Sequence, residues 1–290
     1  MVEIAVVGTG AAGISAVLTL QALGKRFIWF GLPSFSSKIA AAESIRNYPG
    51  LPSVSGKEMQ EVFRRQIEEM GIEITPKNVT GIYPTQGHYS LLCGQEMFEA
   101  EAVILCTGVE ALKPIPGELE FVGRGVSYCA VCDGFLYKGK TIAVECTSKA
   151  LEHEIVYLAS LAEKVYLLPF YKDTAAMPEN VEIIRGMPKA VEGGRKVEKL
   201  ILADREIPVD GIFMLKQAIA PSVLLSGLET ANGHIVVDRS CATNLPGCFA
   251  AGDCTGRPYQ YAKAAGEGNV AAHSVVAYLA EKHSEKSNSK

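Results

Sequence analysis

The sequence predicts an α/β protein with two three-layer ββα domains of the Rossmann-like type, the second inserted into the first. A short apolar run at residues 2–7 leads directly into a glycine-rich turn and a helical segment, as a buried parallel strand leads into its crossover helix. The same order of strand, turn, helix and strand recurs over residues 141–168. A third apolar run, at residues 248–251, precedes another helical segment near the C-terminal end. The repetition indicates an internal duplication of one structural plan.

Length and composition limit the possible function classes. A chain of 290 residues suits one or two domains, and 48% hydrophobic residues with 28 glycines are typical of an α/β protein. A net charge of −4 without long runs of one sign argues against a nucleic-acid partner. No targeting segment precedes the first strand, and no run approaches the roughly 18 apolar residues of a membrane span. With eight irregularly spaced cysteines, we expect a cytoplasmic protein with reduced thiols and no membrane partner.

The first turn has the spacing of a dinucleotide-binding motif. Its residues are Gly8-Thr9-Gly10-Ala11-Ala12-Gly13, placed between the predicted strand and helix. In such a turn Gly8 permits the tight bend, Gly10 lets the backbone approach a pyrophosphate, and Gly13 allows close helix–strand packing. The helix N-terminus offers unpaired N–H groups to the anion. Gly31 stands where a ribose-binding acid usually ends the second strand, so plain NAD is not the predicted ligand.

Local signals predict the rest of the first domain. The loop at residues 33–52 has a length that is usually associated with function. Ser55 and Glu58 have the spacing of a capping box, which begins a helix that we expect to end at Met70. Strands are predicted at residues 72–75, 79–83, 88–92, 96–98 and 103–106.

Two cysteines separated by two residues form the motif with the most specific chemistry. They lie in Tyr128-Cys129-Ala130-Val131-Cys132-Asp133-Gly134. One thiol can attack, the second can resolve, and the adjacent acid can move a proton, so the motif predicts redox chemistry. The pair would also suit half of a structural zinc site, but no second pair exists and the five histidines occur singly. Redox chemistry is therefore favoured, and no metal site is predicted.

The second domain is predicted to follow Pro114 and Pro116, because closely spaced prolines interrupt regular secondary structure and indicate a domain boundary. We assign residues 1–112 and 241–290 to the first domain and residues 113–240 to the inserted domain, with re-entry beginning near His234. Within the inserted domain we expect strands at residues 141–144, 165–168, 199–203 and 211–215, and a helix over 149–162.

The last strand predicts a further ligand contact. It ends in Gly252-Asp253, where an acid can bond the ribityl hydroxyls of a flavin; an ordinary helix-capping acid is the alternative. The helix predicted over residues 260–279 would direct the positive end of its dipole toward the pyrimidine edge of such a flavin.

Together these motifs resemble the low-molecular-weight thioredoxin reductases. The matching motifs occur in the family's order and span nearly the whole chain. They are Gly8-Thr9-Gly10-Ala11-Ala12-Gly13, Asn47-Tyr48-Pro49-Gly50, Cys106-Thr107-Gly108, Cys129-Ala130-Val131-Cys132-Asp133-Gly134 and Ala251-Gly252-Asp253. The resemblance implies FAD bound by the split first domain, a redox dithiol in the inserted domain, and a homodimer.

The resemblance also implies roles for individual residues. Cys132 would lie against the flavin, Cys129 would exchange with the substrate disulfide, and Asp133 would donate or accept the proton. The implied FAD contacts are Gly8, Thr9, Gly10, Ala11, Ala12, Gly13, Lys38, Asn47, Val79, Thr107, Gly108, Gly252, Asp253, Gln260, Tyr261 and Ala262.

The chain departs from the family pattern at the second nucleotide site. The family has a glycine-rich turn for NADPH there, whereas residues 144–150 contain no glycine. Glu145 would bring negative charge toward the pyrophosphate. The family's His-Arg-Arg, which grips the 2′-phosphate, is replaced by Pro169-Phe170-Tyr171. Because both losses affect one ligand, NADPH is not the predicted electron donor.

The leading hypothesis is an FAD-dependent reductase of thioredoxin, or of a similar protein disulfide, that receives electrons from reduced ferredoxin. A flavin accepts one or two electrons, so a one-electron carrier can reduce it in two steps. In a related branch a second FAD occupies the former NADPH site, for which Phe170, Tyr171 and the loop near Trp29 are candidate lining residues. The alternatives from other classes are a dithiol oxidase that uses oxygen and a non-catalytic flavoprotein. The intact Cys-x-x-Cys-Asp motif argues against the last.

Overall fold

The computed structural model describes residues 1–40, 42–109, 114–216 and 220–288, without the side chains of residues 37, 38 and 286–288. The chain divides into two compact units, Met1–Val109 with Pro221–Lys290, and Glu110–Ala220. Each unit contains a parallel sheet, so the predicted α/β class is confirmed. The crossing predicted at residues 112 and 113 lies outside the described residues.

A six-stranded sheet forms the centre of the first unit. Its strands in the N-terminal part of the chain are β1 (Val2–Val7), β2 (Phe27–Phe30), β3 (Gly81–Thr85), β4 (His88–Cys93) and β5 (Glu96–Leu105). β1 lies between β2 and β5 and runs parallel to both, and its apolar residues 4–7 are buried, as is typical of a central parallel strand. β5 pairs antiparallel with β4 through its first half and parallel with β1 through its second half.

Two predicted strands differ from this arrangement. The predicted strands at 96–98 and 103–106 are parts of the single long strand β5. The predicted strand at 72–75 does not form, because this segment makes only one bridge, from Thr75 to Phe30. The helices of this part of the chain are α1 (Ala11–Ala22), α2 (Ser37–Ala40) and α3 (Gly56–Glu69), and the capping box of Ser55 and Glu58 begins α3 as predicted.

The second unit is built around a five-stranded parallel sheet with the order β6-β13-β7-β8-β9. Its elements are β6 (Val126–Ser127), α4 (Ala130–Asp133), β7 (Thr141–Cys146), α5 (Glu152–Leu161), β8 (Lys164–Pro169), β9 (Val181–Ile183), β10 (Ala190–Gly193), β11 (Val197–Ile201), β12 (Glu206–Pro208) and β13 (Gly211–Leu215). β10, β11 and β12 form a separate antiparallel sheet. The strand order reverses between β7 and β13, and the carboxyl ends at such a reversal are where α/β sheets bind ligands.

The chain returns to the first unit at Pro221, earlier than the predicted residue 241, so the predicted inserted domain is too long at its C-terminal end. The physical reason is burial: Leu225 is fully buried and bridges Ile82 of β3. The side chain of Asn244 also bonds the backbone of Gly227 and Glu229, which ties the returning segment to the chain that follows it. The elements after the return are α6 (Pro221–Leu224), β14 (Thr230–Ala231), β15 (His234–Ile235), β16 (Cys248–Ala250) and α7 (Tyr261–Asn288).

Packing of α7 on α1 completes the first unit around β16, which pairs in parallel with β5. Gly268 makes this packing possible, because a Cβ at this position would lie 2.1 Å from the carbonyl oxygen of Ala12. Among the described helices, none is long and apolar enough to cross a membrane.

Candidate FAD site and redox dithiol

The glycine turn after β1 has one glycine that the fold itself does not require. Gly8 has φ +115°, and a Cβ there would lie 2.2 Å from the oxygen of Cys106. A Cβ on Gly13 would lie 2.0 Å from the oxygen of Gly8. Around Gly10 the nearest atom to such a Cβ is Cβ of Ser36, at 4.0 Å. The space beside Gly10 is therefore left open by the protein, as the close approach of a ligand requires.

The N-terminus of α1 begins at this open position. Gly10 is its N-cap, with no side-chain cap bond, and the first turn contains no acidic residue. The backbone N–H groups of the first turn have no intrahelical acceptors and carry the positive end of the helix dipole. The turn thus fits the pyrophosphate of FAD both in shape and in charge.

Two residues behind the turn fix its position. The indole N–H of Trp29 donates to the oxygen of Gly8 at 2.8 Å, and this side chain is only 1% exposed. Trp29 is therefore a core residue of the first unit. Gly31 is required by its neighbour, because a Cβ there would lie 2.7 Å from Cγ2 of the buried Thr9.

The carboxyl ends of β1, β5 and β16 meet at one edge of the sheet, as their register shows. The predicted contacts Thr107 and Gly108 follow β5, while Gly252 and Asp253 follow β16. Gly252 has φ +94°, and a Cβ there would lie 2.9 Å from Cβ of Ala12. The edge therefore brings the Asp253 turn to the first turn of α1, although these segments are distant in the sequence.

Lys263 and Glu267, two residues that the sequence analysis did not identify, brace the Asp253 turn. The ammonium of Lys263 donates to the oxygens of Gly252 and Gly256, each at 2.8 Å. The carboxylate of Glu267 accepts from the backbone N–H of Gly252 at 2.8 Å and lies 3.1 Å from the ammonium of Lys263. Their spacing of four residues on a helix was the available signal.

The start of α7 is anchored to the loop that contains the Asn-Tyr-Pro-Gly motif. The amide of Asn47 donates to Oε1 of Gln260 at 2.7 Å, across a sequence separation of 213 residues. Next to it, the hydroxyl of Tyr259 lies 2.6 Å from Nε2 of His234. The structure thus joins two of the predicted flavin contacts, Asn47 and Gln260.

The remaining predicted contacts are placed as follows. Val79 is buried just before β3, Tyr261 is half-buried at the start of α7, and Ala262 is exposed. Lys38 belongs to α2, but its side chain lies outside the described part of the chain.

In the second unit, Cys129 and Cys132 form a disulfide bond, with a Cα–Cα distance of 5.3 Å. Cys129 is the N-cap of α4, and its Sγ accepts from the backbone N–H of Cys132 at 3.2 Å. Cys129 is 9% exposed, whereas Cys132 is half-buried. Because the disulfide closes a single helical turn outside the strands, it can be opened without unfolding the parallel sheet.

Ser127 links the dithiol to its acid, which the sequence analysis did not foresee. Its hydroxyl donates to Oδ2 of Asp133 at 2.6 Å and accepts from the backbone N–H of Cys129 at 3.1 Å. The carboxylate of Asp133 is thereby held on the same short segment as both sulfur atoms, where it can exchange a proton with a thiol.

The carboxyl end of β7 carries a charged side chain, that of Glu145, whereas the carboxyl end of β1 is apolar. Glu145 is 3% exposed, and its Oε1 lies 3.6 Å from the ammonium of the equally buried Lys216. The expected repulsion between Glu145 and a pyrophosphate is therefore wrong as a mechanism, because this carboxylate is turned into the unit and has a cation beside it. Burial raises the pKa of Glu145.

The loop after β8 is bonded to the segment that follows β7. The ammonium of Lys149 donates to the oxygen of Asp173 at 2.9 Å, and the backbone N–H of Ala175 donates to the carboxylate of Glu152 at 3.1 Å. Tyr171 of the same loop packs on the core of the unit, with its hydroxyl beside Cys146. Side chains of the chain itself thus fasten this loop at the carboxyl end of β7.

The six other cysteines are buried and are not disulfide-bonded. Burial raises the pKa of each thiol, to about 11 for Cys241 and Cys254 and to about 12 for Cys93 and Cys248. The pKa of Cys106 and that of Cys146 are raised for the same reason. No group of His, Cys, Asp and Glu side chains suitable for a metal ion occurs among the described residues.

Comparison with known proteins agrees with this site. The model of the pyridine nucleotide-disulphide oxidoreductase family matches residues 2–268. The thioredoxin reductase of Treponema pallidum is 31% identical over 297 residues, which cover 96% of this chain and 97% of that protein.

Solved structures give the same result. A crystal structure of a ferredoxin-flavin thioredoxin reductase from Clostridium acetobutylicum is 42% identical, with a TM-score of 0.92, over 97% of this chain and 98% of that one. A thioredoxin reductase from Gloeobacter violaceus is 27% identical, with a TM-score of 0.81, over 97% and 94% of the two chains. The thioredoxin reductases of this family are FAD flavoproteins. The chain therefore belongs to the pyridine nucleotide-disulphide oxidoreductase family, as an enzyme of the thioredoxin reductase-like flavin disulfide oxidoreductases.

Proposed function

We propose that the protein reduces the disulfide of thioredoxin, or of a similar protein, through Cys129 and Cys132, with electrons from reduced ferredoxin in place of NADPH. The observation that carries the donor assignment is the turn after β7. It has no glycine, and the side chains of Lys149 and Glu152, which follow it, bond the loop after β8. The same bonds between the segment after β7 and the loop after β8 argue against a second FAD at the end of β7.

The similarity to the Clostridium acetobutylicum protein supports the assignment, since that protein is described as a ferredoxin-flavin thioredoxin reductase and is 42% identical over almost the whole chain. A homodimer, which the resemblance also implies, stays a prediction that light scattering of the purified protein tests.

The first unit would hold FAD through the open turn at Gly10 and the N-terminus of α1, with Asp253 toward the ribityl chain. FAD bound there supplies both one-electron and two-electron redox chemistry. The brace of Lys263 and Glu267 keeps the Asp253 turn against α1. In the second unit, two electrons and two protons convert the disulfide of Cys129 and Cys132 into two thiols.

The dithiol then transfers these electrons to the substrate. We assign the attack to Cys129: its sulfur forms a mixed disulfide with one substrate sulfur, and the other substrate sulfur leaves with a proton. Cys132 displaces the substrate from the mixed disulfide and restores the bond to Cys129. Asp133, held by Ser127, takes up and returns the proton of the attacking thiol.

The donor is tested by anaerobic mixing of the oxidised, FAD-containing protein with NADPH, NADH or reduced ferredoxin, while the flavin absorbance is followed. We expect bleaching with ferredoxin only, followed by the appearance of two thiols per chain. An unpaired phosphate lacking its charged contacts costs several kcal/mol, on the order of a thousandfold in binding. Bleaching by micromolar NADPH within a second would overturn the assignment. Release of about two FAD per folded chain would favour the two-flavin alternative.

The roles of the two cysteines are tested with Cys129→Ser and Cys132→Ser. Cys132→Ser should trap thioredoxin as a stable mixed disulfide on Cys129, because the resolving thiol is missing. Cys129→Ser should trap none. Mass spectrometry of the two adducts decides the matter, and an adduct formed only by Cys129→Ser would show that the roles are reversed.

A further inference from the structure

A buried cluster of charged side chains lies at the carboxyl ends of β6, β13 and β7, beside the dithiol segment. Glu118 is 0% exposed and Lys216 is 3% exposed. Their charged atoms are 2.6 Å apart, and Glu145 completes the cluster at 3.6 Å from the same ammonium. Burying charges is costly unless they are paired and fully hydrogen-bonded. Nothing in the proposed transfer of electrons uses this cluster, so its retention needs a reason.

Glu118 is the centre of the cluster, because it accepts hydrogen bonds from three directions. Its Oε2 accepts from the backbone N–H of Ile115 at 3.0 Å. Its Oε1 accepts from the ammonium of Lys216 and, at 2.5 Å, from the hydroxyl of Tyr128. Hydrogen bonds to an ionised acceptor are about twice as strong as neutral ones. The ammonium of Lys216 supplies the opposite charge beside the carboxylate of Glu118 inside the unit.

Tyr128 connects the cluster to the dithiol, because it immediately precedes Cys129. The side chain of Ser127 bonds the backbone of Cys129 and the carboxylate of Asp133. The next side chain, that of the 7% exposed Tyr128, reaches Glu118. The backbone that presents Cys129 is therefore held through both of the residues that precede it.

We propose that Glu118 is a positioning residue for the dithiol: through the hydroxyl of Tyr128 it fixes the backbone of Cys129, and Lys216 supplies its counter-charge. The consequence concerns the equilibrium between dithiol and disulfide. Two thiols held in bonding geometry have a high effective concentration toward each other, which favours the disulfide. Loosening Cys129 lowers that concentration and shifts the equilibrium toward the dithiol.

The test measures this equilibrium in a redox buffer of reduced and oxidised dithiothreitol. Reduction moves two electrons and two protons from the reagent to Cys129 and Cys132, while the reagent closes to its cyclic disulfide. Acid quenching, alkylation and mass spectrometry of the peptide with both cysteines give the reduced fraction. Tyr128→Phe removes one hydroxyl and keeps the ring, so we expect a shift of at least about tenfold toward the dithiol, which corresponds to about 30 mV.

The control is Tyr166→Phe, the same change on a half-buried residue of β8 in the same sheet. It should leave the equilibrium constant within twofold of the wild-type value. If Tyr128→Phe also stays within twofold, or shifts the equilibrium toward the disulfide, the positioning role is refuted. Should Tyr128→Phe not accumulate as folded protein, Glu118→Gln weakens the same contact and has the same expected direction.

The inference rests on the proposed reductase function, but its measurement uses neither thioredoxin, ferredoxin nor a pyridine nucleotide. A shift of the equilibrium together with no thioredoxin reduction would refute the function and leave the positioning role intact. If the wild-type protein reduces thioredoxin but Tyr128→Phe leaves the equilibrium constant unchanged, only the positioning role is refuted.

Discussion

The turn after β1 and the turn after β7 occupy equivalent places, each at the carboxyl end of a central parallel strand and ahead of a helix. In the first, a Cβ on Gly10 would meet no atom closer than 4.0 Å. Beside the second, Glu145 at the end of β7 is paired with Lys216 inside the unit, and Tyr171 packs against the core. The same backbone plan therefore leaves open space at one turn and bonded side chains at the other.

This difference shows that the strand–turn–helix plan alone does not identify a ligand site. The plan is set by the apolar strands, which both units have. Ligand binding depends on whether side chains leave the strand ends open, and a few positions decide that. Three variants test this difference between the two turns.

The largest effect is expected for Gly10→Glu, which should abolish FAD retention. The new carboxylate would occupy the open space beside the helix N-terminus and repel the pyrophosphate, yet nothing in the fold crowds this position. The thermal unfolding midpoint of the FAD-free protein should therefore stay near that of the wild-type apoprotein. Gly266→Glu, on the exposed face of α7, is the control and should keep its flavin. Full FAD occupancy in Gly10→Glu would show that this turn is not the binding site.

A smaller effect, on stability, is expected for Lys216→Met. Removing one partner of a buried pair leaves an uncompensated carboxylate and typically costs about 3–5 kcal/mol in the free energy of unfolding. Urea unfolding measures it. Lys164→Met is the matched control, because Lys164 pairs with Glu182 at the surface, where such pairs contribute roughly 1 kcal/mol or less. Equal losses for both variants would show that the buried cluster does not hold the second turn together.

The smallest effect is expected for the pH dependence of stability in Glu145→Gln. Burial raises the pKa of Glu145 in the folded state above the ordinary value of 4.5. The folded state then binds the proton more tightly than the unfolded state, so this residue's contribution to stability falls as pH rises from 4.5 through the raised value. The slope is at most about 1.4 kcal/mol per pH unit.

Glu145→Gln should flatten that part of the profile, measured as urea unfolding midpoints across pH. Glu198→Gln, on an exposed position of β11, should leave the profile unchanged. A profile of Glu145→Gln that is parallel to the wild-type profile would mean that the pKa of Glu145 is the same in the folded and unfolded states.

Local patterns predicted the parts of this structure that depend on neighbouring residues. The apolar runs gave β1 and β7, and the spacing of Ser55 and Glu58 gave the start of α3. The glycine spacing located the open turn. These features are set by side-chain alternation, capping and backbone conformation, which a short window of sequence contains.

Features that depend on distant residues were not predictable in this way. Lys216 and Glu118 are 98 positions apart, and only the fold shows that they pair. Leu225 forms a buried β-bridge to Ile82 of β3, and no turn motif in the sequence predicted that the chain returns there. Ser127 is a common small polar residue, and its importance depends on the carboxylate of Asp133 beside it. Polar networks and chain re-entry require the three-dimensional structure, because their partners have no fixed spacing.

The raised thiol pKa values of the buried cysteines have a consequence for how this protein withstands oxidants. At neutral pH a thiol with a pKa of about 11, such as that of Cys241, is ionised in on the order of one molecule in ten thousand. Oxidants attack thiolates, and oxidation of two paired thiols ends in a disulfide that a reductant reverses. Burial and a raised pKa protect the six other cysteines, so the oxidation of Cys129 and Cys132, which the catalytic cycle reverses, is the expected response to an oxidant.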